Sequence, residues 1–290
     1  MPDIVAETLA KAISLEHEGK PDAALKIYEE AIGSGAEEVL LHSNRGLLLD
    51  RMGKVELALA DFRKANLISP NFRDHYNAGN MLMKLDRFED ALSEFEASLS
   101  YRNDYPDCWA NKGIAHHALS QLEEARESFD RALQLNPDFA PAHRCLAILH
   151  RSLGRDSLAI GHFKKAAEAA PENANAWFEY GCALYKALDG ETVSFDPSGP
   201  EGQAVNAFDR VIELAPANAG AWGRKIGVLF RLADAAQAAD AQASDEAPQL
   251  VQLILADLAS TLTLAREQFP HDDWFAKRQQ DLANFQQDSP

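Results

Sequence analysis

The side chains able to do covalent or metal chemistry are few and poorly spaced. The 290-residue chain holds three cysteines, Cys108, Cys145 and Cys182, and nine histidines. A nucleophilic cysteine needs a cation or base beside it, and a zinc site needs three or four N or S donors at one point. His116 and His117 are adjacent, so on a helix they point to different faces. His143 and His150 are seven apart and share a face, with Cys145 near. No HExxH or CxxC spacing accompanies them. The expectation is no catalytic residue, no metal, no cofactor and no enzyme. The odd number and wide spacing of the cysteines argue against a disulfide framework.

The polar side chains left over must act by hydrogen bonding and charge, so the elements that carry them matter. Residues 106–139 set the pattern. A helix from about Asp107 to Leu119 spaces Trp109, Gly113 and His116 for one face. A second, from about Leu122 to Leu135, places Ala125, Phe129 and Ala132 on one face, and Pro137 stops it. Gly113 and Ala125 are small where two helices must approach, with Trp109 and Phe129 filling the space around them. The pattern returns. Ala24, Ala58, Ala91, Ala125 and Ala159 follow one another at spacings of 34, 33, 34 and 34. Four residues after each comes an aromatic: Tyr28, Phe62, Phe95, Phe129 and Phe163.

A helix-turn-helix unit with a period near 34 resembles the tetratricopeptide repeat (TPR) family. The resemblance implies an all-α, right-handed superhelical solenoid of about seven units with a C-terminal capping helix. The array is placed at residues 1–240, with repeats at about 5–38, 39–71, 72–105, 106–139, 140–173, 174–218 and an irregular 219–268. Residues 241–290 supply the last repeat's second helix and the cap. Ala159 to Ala204 spans 45 residues, so 11 are inserted, within the Gly- and Pro-rich 189–203. That stretch reads as a surface loop or a lip over one end of the binding surface. Leu250, Val251, Ile254, Leu258, Leu262 and Ala265 form one stripe on 247–268. A final helix from about Asp272 carries Phe275, Arg278, Leu282 and Phe285.

The net charge of −17 disfavours nucleic acid and anionic membranes as partners. The N-terminus shows no basic region followed by an apolar run, and no stretch approaches 18 apolar residues. A cytoplasmic location is the expectation.

In the TPR family, residues 2, 5, 6, 9, 12 and 13 of each first helix point into a concave groove. Residue 6 is Asn44, Asn77 and Asn111 in repeats two to four. Amides donate and accept together, so such a ladder can pair with the backbone of an extended peptide. It resembles the ladder of O-linked N-acetylglucosamine transferases, without their catalytic domain. Alternatively these asparagines bridge neighbouring helices. Groove positions hold eight basic residues, Arg51, Arg73, Lys84, Arg144, Arg151, Lys186, Arg224 and Arg231, against Glu16, Asp50, Asp107 and Glu179. Phe178, Tyr185 and Phe230 lie among them. A basic groove on an acidic body would steer an acidic segment into place. The carboxylate clamp of heat-shock co-chaperones is incomplete: Asn80 and Asn111 match, but Tyr76, Pro141 and Cys145 replace its basic residues. His42, His75 and His143 stand where the family has tryptophan, which suggests packing.

The expected function is therefore a protein-interaction scaffold, an adaptor or chaperone-like protein, holding an extended acidic segment of a partner protein. Two alternatives stay open. One is an inhibitor or secretion chaperone masking a basic partner. The other is a self-assembling scaffold using the 247–268 stripe, if the last helix fails to cover it.

Overall fold

The computed structural model describes residues 2–35, 38–188, 193, 195–196, 198–240 and 247–288. All regular structure among them is helical. In chain order the helices are α1 (Pro2–His17), α2 (Pro21–Gly33), α3 (Val39–Arg51), α4 (Val55–Ile68), α5 (Phe72–Lys84), α6 (Phe88–Tyr101), α7 (Pro106–Ala118) and α8 (Leu122–Leu135). They continue as α9 (Ala140–Ser152), α10 (Asp156–Ala169), α11 (Ala174–Ala187), α12 (Pro200–Leu214), α13 (Ala219–Asp240), α14 (Ala247–Gln268) and α15 (Asp273–Asp288). This is a helical solenoid of helix-turn-helix units. It divides into two compact units, Met1–Cys145 and Leu146–Pro290, with the boundary inside α9.

The turn inside each of the first five helix pairs repeats one device. Gly19, Gly53 and Gly154 take positive φ of 72°, 74° and 69°, and Asp86 and Ser120 take 56° and 61° at the same place. The following amide reaches back over the turn: Lys54 N to Leu49 O, Arg87 N to Leu82 O and Gln121 N to His116 O, each at 2.9 Å. This closes the first helix and reverses the chain.

Packing within a pair rests on one small residue meeting one aromatic ring. Phe62, Phe95, Phe129 and Phe208 are buried. They lie against Gly46, Gly79, Gly113 and Gly181 respectively. A Cβ at Gly79 or Gly113 would stand 2.5 Å from the ring of Phe95 or Phe129. The glycine is thus the condition for helix contact.

Three tryptophans, Trp109, Trp177 and Trp222, donate their indole N–H to Asn103 O, Pro171 O and Pro216 O at 2.9, 3.0 and 2.9 Å. His143 makes the equivalent bond to Pro137 O at 2.9 Å, so imidazole substitutes for indole. His42 and His75 instead pair with Asp61 and Glu94, at 2.9 and 2.8 Å, on the second helix of their own pair.

In the second unit the insertion is shorter than 189–203. α12 begins at Pro200, because Gly199 and Pro200 supply a helix start, and Gln203 accepts a hydrogen bond from the Tyr180 hydroxyl at 2.5 Å. Residues 189–192, 194 and 197 lie outside the described residues. The stripe on α14 is covered: Ile254, Leu258, Leu262 and Ala265 share one core with Phe275 and Leu282 of α15. That removes the condition for self-assembly through an open stripe. The side chain of Leu250 lies outside the described residues, as do residues 241–246. No helix among the described residues is long and apolar enough to cross a membrane.

Candidate functional site

In the first unit the charged and amide side chains of the first helices largely meet each other. Arg51 of α3 pairs with Glu16 of α1, and Lys84 of α5 pairs with Asp50 of α3. Glu16 also accepts from the Tyr28 hydroxyl at 3.0 Å. The amide of Asn111 on α7 donates to Asn80 Oδ1 at 2.7 Å and Tyr76 Oη at 3.2 Å, both on α5. Asn44 donates to Leu40 O in its own helix at 2.8 Å. Asn77 is half-buried, with no hydrogen-bond partner among the described residues. The structure therefore brings Tyr76, Asn80 and Asn111 together as one network, separate from Asn44 and Asn77.

The network is half-buried. Tyr76 packs edge-on against Tyr105 with ring centroids 4.9 Å apart. Burial pushes the phenol of Tyr105 up to about 12 and raises that of Tyr76. Among the exposed side chains on these first helices are four large apolar ones, Ile13, Leu40, Leu47 and Ile114. Arg73 is exposed, its guanidinium 5.4 Å from the ring of Phe72. Arg144, at the end of this unit, is exposed on α9.

The second unit is arranged differently. Arg224 of α13 lies over the ring of Phe178 of α11 at 5.0 Å and donates to Gly220 O at 3.2 Å. Phe178 in turn packs edge-on against the core ring of Phe208 at 6.3 Å. Burial raises the thiol of Cys182, opposed by the guanidinium groups of Arg224 and Arg151. Both guanidinium groups thus lie near enough to α11 to act on that thiol. Arg151 also lies 5.4 Å from the ring of Phe163. Lys186 is exposed next to Tyr185.

A pocket of about 680 Å³ opens between α11, α13 and α15. Tyr185, Phe230, Arg231 and Asp234 line it with Trp274 and Arg278 of the last helix. Val193, from the insertion, is also part of the wall. Gly223 and Gly227 let the rings of the wall approach α13 closely: a Cβ at Gly227 would stand 3.0 Å from the Tyr185 hydroxyl, and one at Gly223 3.7 Å from the Trp274 ring. Arg231 lies 3.9 Å from Glu201, whose carboxylate is buried. Burial raises the carboxyl of Asp234.

Of the residues expected at groove positions, Tyr185, Phe230 and Arg231 line this pocket; Trp274 was not among the expected residues, and Arg278 was expected only on the last helix beside Phe275 and Leu282. Trp274 and Arg278 are an aromatic and an arginine four residues apart on α15. Among the described residues no group of three or more His, Cys, Asp or Glu is placed to hold a metal ion.

Comparison with known proteins bears on the fold and on the repeats. Sequence profiles described as tetratricopeptide repeat match residues 9–70 and 106–139. The chain is 31% identical over 85 residues to human tetratricopeptide repeat protein 28, and 32% identical over 103 residues to the Dictyostelium discoideum protein STIP1 homolog. These alignments cover 29% and 33% of this chain but only 3% and 18% of those relatives. The C-terminal part of a TPR repeat-containing protein from Cytophaga hutchinsonii superposes with a TM-score of 0.62 at 14% identity, over 93% of this chain and 98% of that one.

Proposed function

The chain is a member of the tetratricopeptide repeat family, and on that premise we propose that it is a binding protein for an extended segment of another protein. It works by recognition, with no chemistry of its own, as an adaptor or chaperone-like protein in the cytoplasm. The binding face is the one carried by the first helices. The observation that supports this most is the alternation of cations and aromatic rings on the second unit: Arg151, then Phe178 under Arg224, then Tyr185, Lys186 and Arg231. Set on a chain of net charge −17, such a strip favours an acidic segment and disfavours nucleic acid and anionic membrane.

The first unit has another part in this reading. Arg51 and Lys84 are paired with Glu16 and Asp50, so their charge is largely neutralised. Ile13, Leu47 and Ile114 offer apolar contact, and Asn44 and Asn77 offer amide groups to a peptide backbone. Each backbone hydrogen bond would contribute about 1 kcal/mol net. Tyr76, Asn80 and Asn111 would meet the segment as one pre-ordered polar patch.

A displayed library of random extended peptides tests the proposal. Wild type is expected to retain acidic sequences. The Arg151→Glu, Arg224→Glu double variant is expected to lose them while keeping its helical circular dichroism. Retention of the same peptides by the double variant would remove the second-unit strip from the binding face.

A further inference from the structure

The last helix does more than close the array. Among the four tryptophans, three indoles are committed to backbone carbonyls, whereas Trp274 Nε1 has no acceptor among the described residues. Trp274 is 41% exposed and faces the pocket. The Tyr185 hydroxyl, pressed against the bare backbone of Gly227, likewise has no partner among the described residues. Arg278 donates from Nη1 to Asp281 at 2.9 Å and lies over Trp274 and Phe230 at 5.1 and 5.9 Å. A guanidinium carries five N–H donors, so most of Arg278 remains available in a fixed orientation. The pocket is therefore rich in donors that point at nothing. Its size falls in the range of small-ligand sites.

The charge at the far end narrows the ligand. Asp234 lies on α13 one turn beyond Phe230, in the same pocket as Arg231 and Arg278. It repels a second negative charge. Arg231 faces the buried Glu201 and adds field more than a bond. A single carboxylate fits these constraints better than a phosphate dianion or a run of acids.

We propose that the pocket between α11, α13 and α15 is a subsite for one acidic side chain, a Glu or Asp of the bound segment. Arg278, Trp274 and Tyr185 donate to its carboxylate. The inference rests on the segment-binding reading for the source of the carboxylate, but its chemistry is testable alone.

The test uses the full chain with ¹⁵N-labelled tryptophan, the Trp274 indole signal being assigned by its loss in Trp274→Phe. The probes are N-acetyl-glutamate methylamide, the matching glutamine compound and the matching lysine compound. The glutamate probe is expected to move the Trp274 signal saturably and leave the other three in place. The glutamine probe is expected to bind at least about tenfold more weakly, and Arg278→Gln to weaken the glutamate probe by a similar factor. The unchanged positions of the other indole signals report that this variant is folded. Equal response to glutamine, a response to lysine that depends on Asp234, an unchanged affinity in Arg278→Gln, or no response to any probe would each overturn the subsite. Failure of the segment-binding reading looks different: the probe still moves Trp274, but no peptide in the library is retained.

Discussion

At the scale of residues, the polar groups divide by what surrounds them. Lys225 is nearly buried, and its ammonium bridges Asp209 at 2.8 Å and Asp257 at 3.1 Å, drawing α12, α13 and α14 together. Burial raises the carboxyl of Asp209, and Lys225 opposes that rise. A carboxyl with a raised folded-state pKa stabilises the fold relatively more at low pH, and that advantage is lost as pH rises through the folded value. Lys225→Ala removes the opposing charge and leaves two carboxylates facing each other. The expected loss is about 1–3 kcal/mol at neutral pH, shrinking as the pH is lowered into the acid range and Asp209 protonates. Urea melts of both proteins across that interval check the sign. An interval-independent loss would mean that the ammonium acts by packing alone.

The residue types at such sites were legible, but their pairings were not. Arg51 and Lys84 look like groove cations in the sequence. Their neutralising partners, Glu16 and Asp50, stand 35 and 34 residues earlier, on the preceding first helix. Solenoid stacking, not local sequence, makes them neighbours.

At the scale of elements, each helix pair depends on a turn and a close contact. Ser120 takes φ of 61°, a conformation costly for a residue with a Cβ. Ser120→Gly is expected to stabilise the chain by about 0.5–1 kcal/mol, read as a raised midpoint of thermal unfolding. Gly113 gives the opposite result. Its Cβ would meet the buried Phe129 ring at 2.5 Å, so Gly113→Ala should cost about 1–3 kcal/mol despite alanine's better helix propensity. A neutral or stabilising Gly113→Ala would show that the two helices can separate freely. These elements were the most readable part of the sequence. The helix expected at about Leu122–Leu135 is α8, and that expected at 247–268 is α14. The exception was the insertion, where the Gly-Pro pair at 199–200 marks a helix start inside a stretch rich in loop residues.

At the scale of the molecule, 45 acidic residues against 28 basic ones leave a net charge of −17 on a chain whose core is a string of small contacts. Self-repulsion of that size opposes compactness. Raising salt from ~0.01 M to ~0.1 M shortens the screening length from ~30 to ~10 Å. The thermal midpoint is expected to rise over that interval. A fall would mean that ion pairs such as Arg51–Glu16 outweigh the general repulsion.

The sequence by itself determined the helices, their pairing and the aromatic-to-small contacts. Those depend on residues within one repeat, and the period of 34 writes them out several times. Only the tertiary structure decided which donors are left open. Trp274 and Arg278 belong to a helix whose apolar stripe faces α14, and nothing local in α15 says what its other face meets. That face looks onto Gly223, Phe230 and Tyr185 because α15 stacks on α13 and α14 as the next element of the array. A pocket built from three helices up to about ninety residues apart is a property of stacking geometry, which no single repeat encodes.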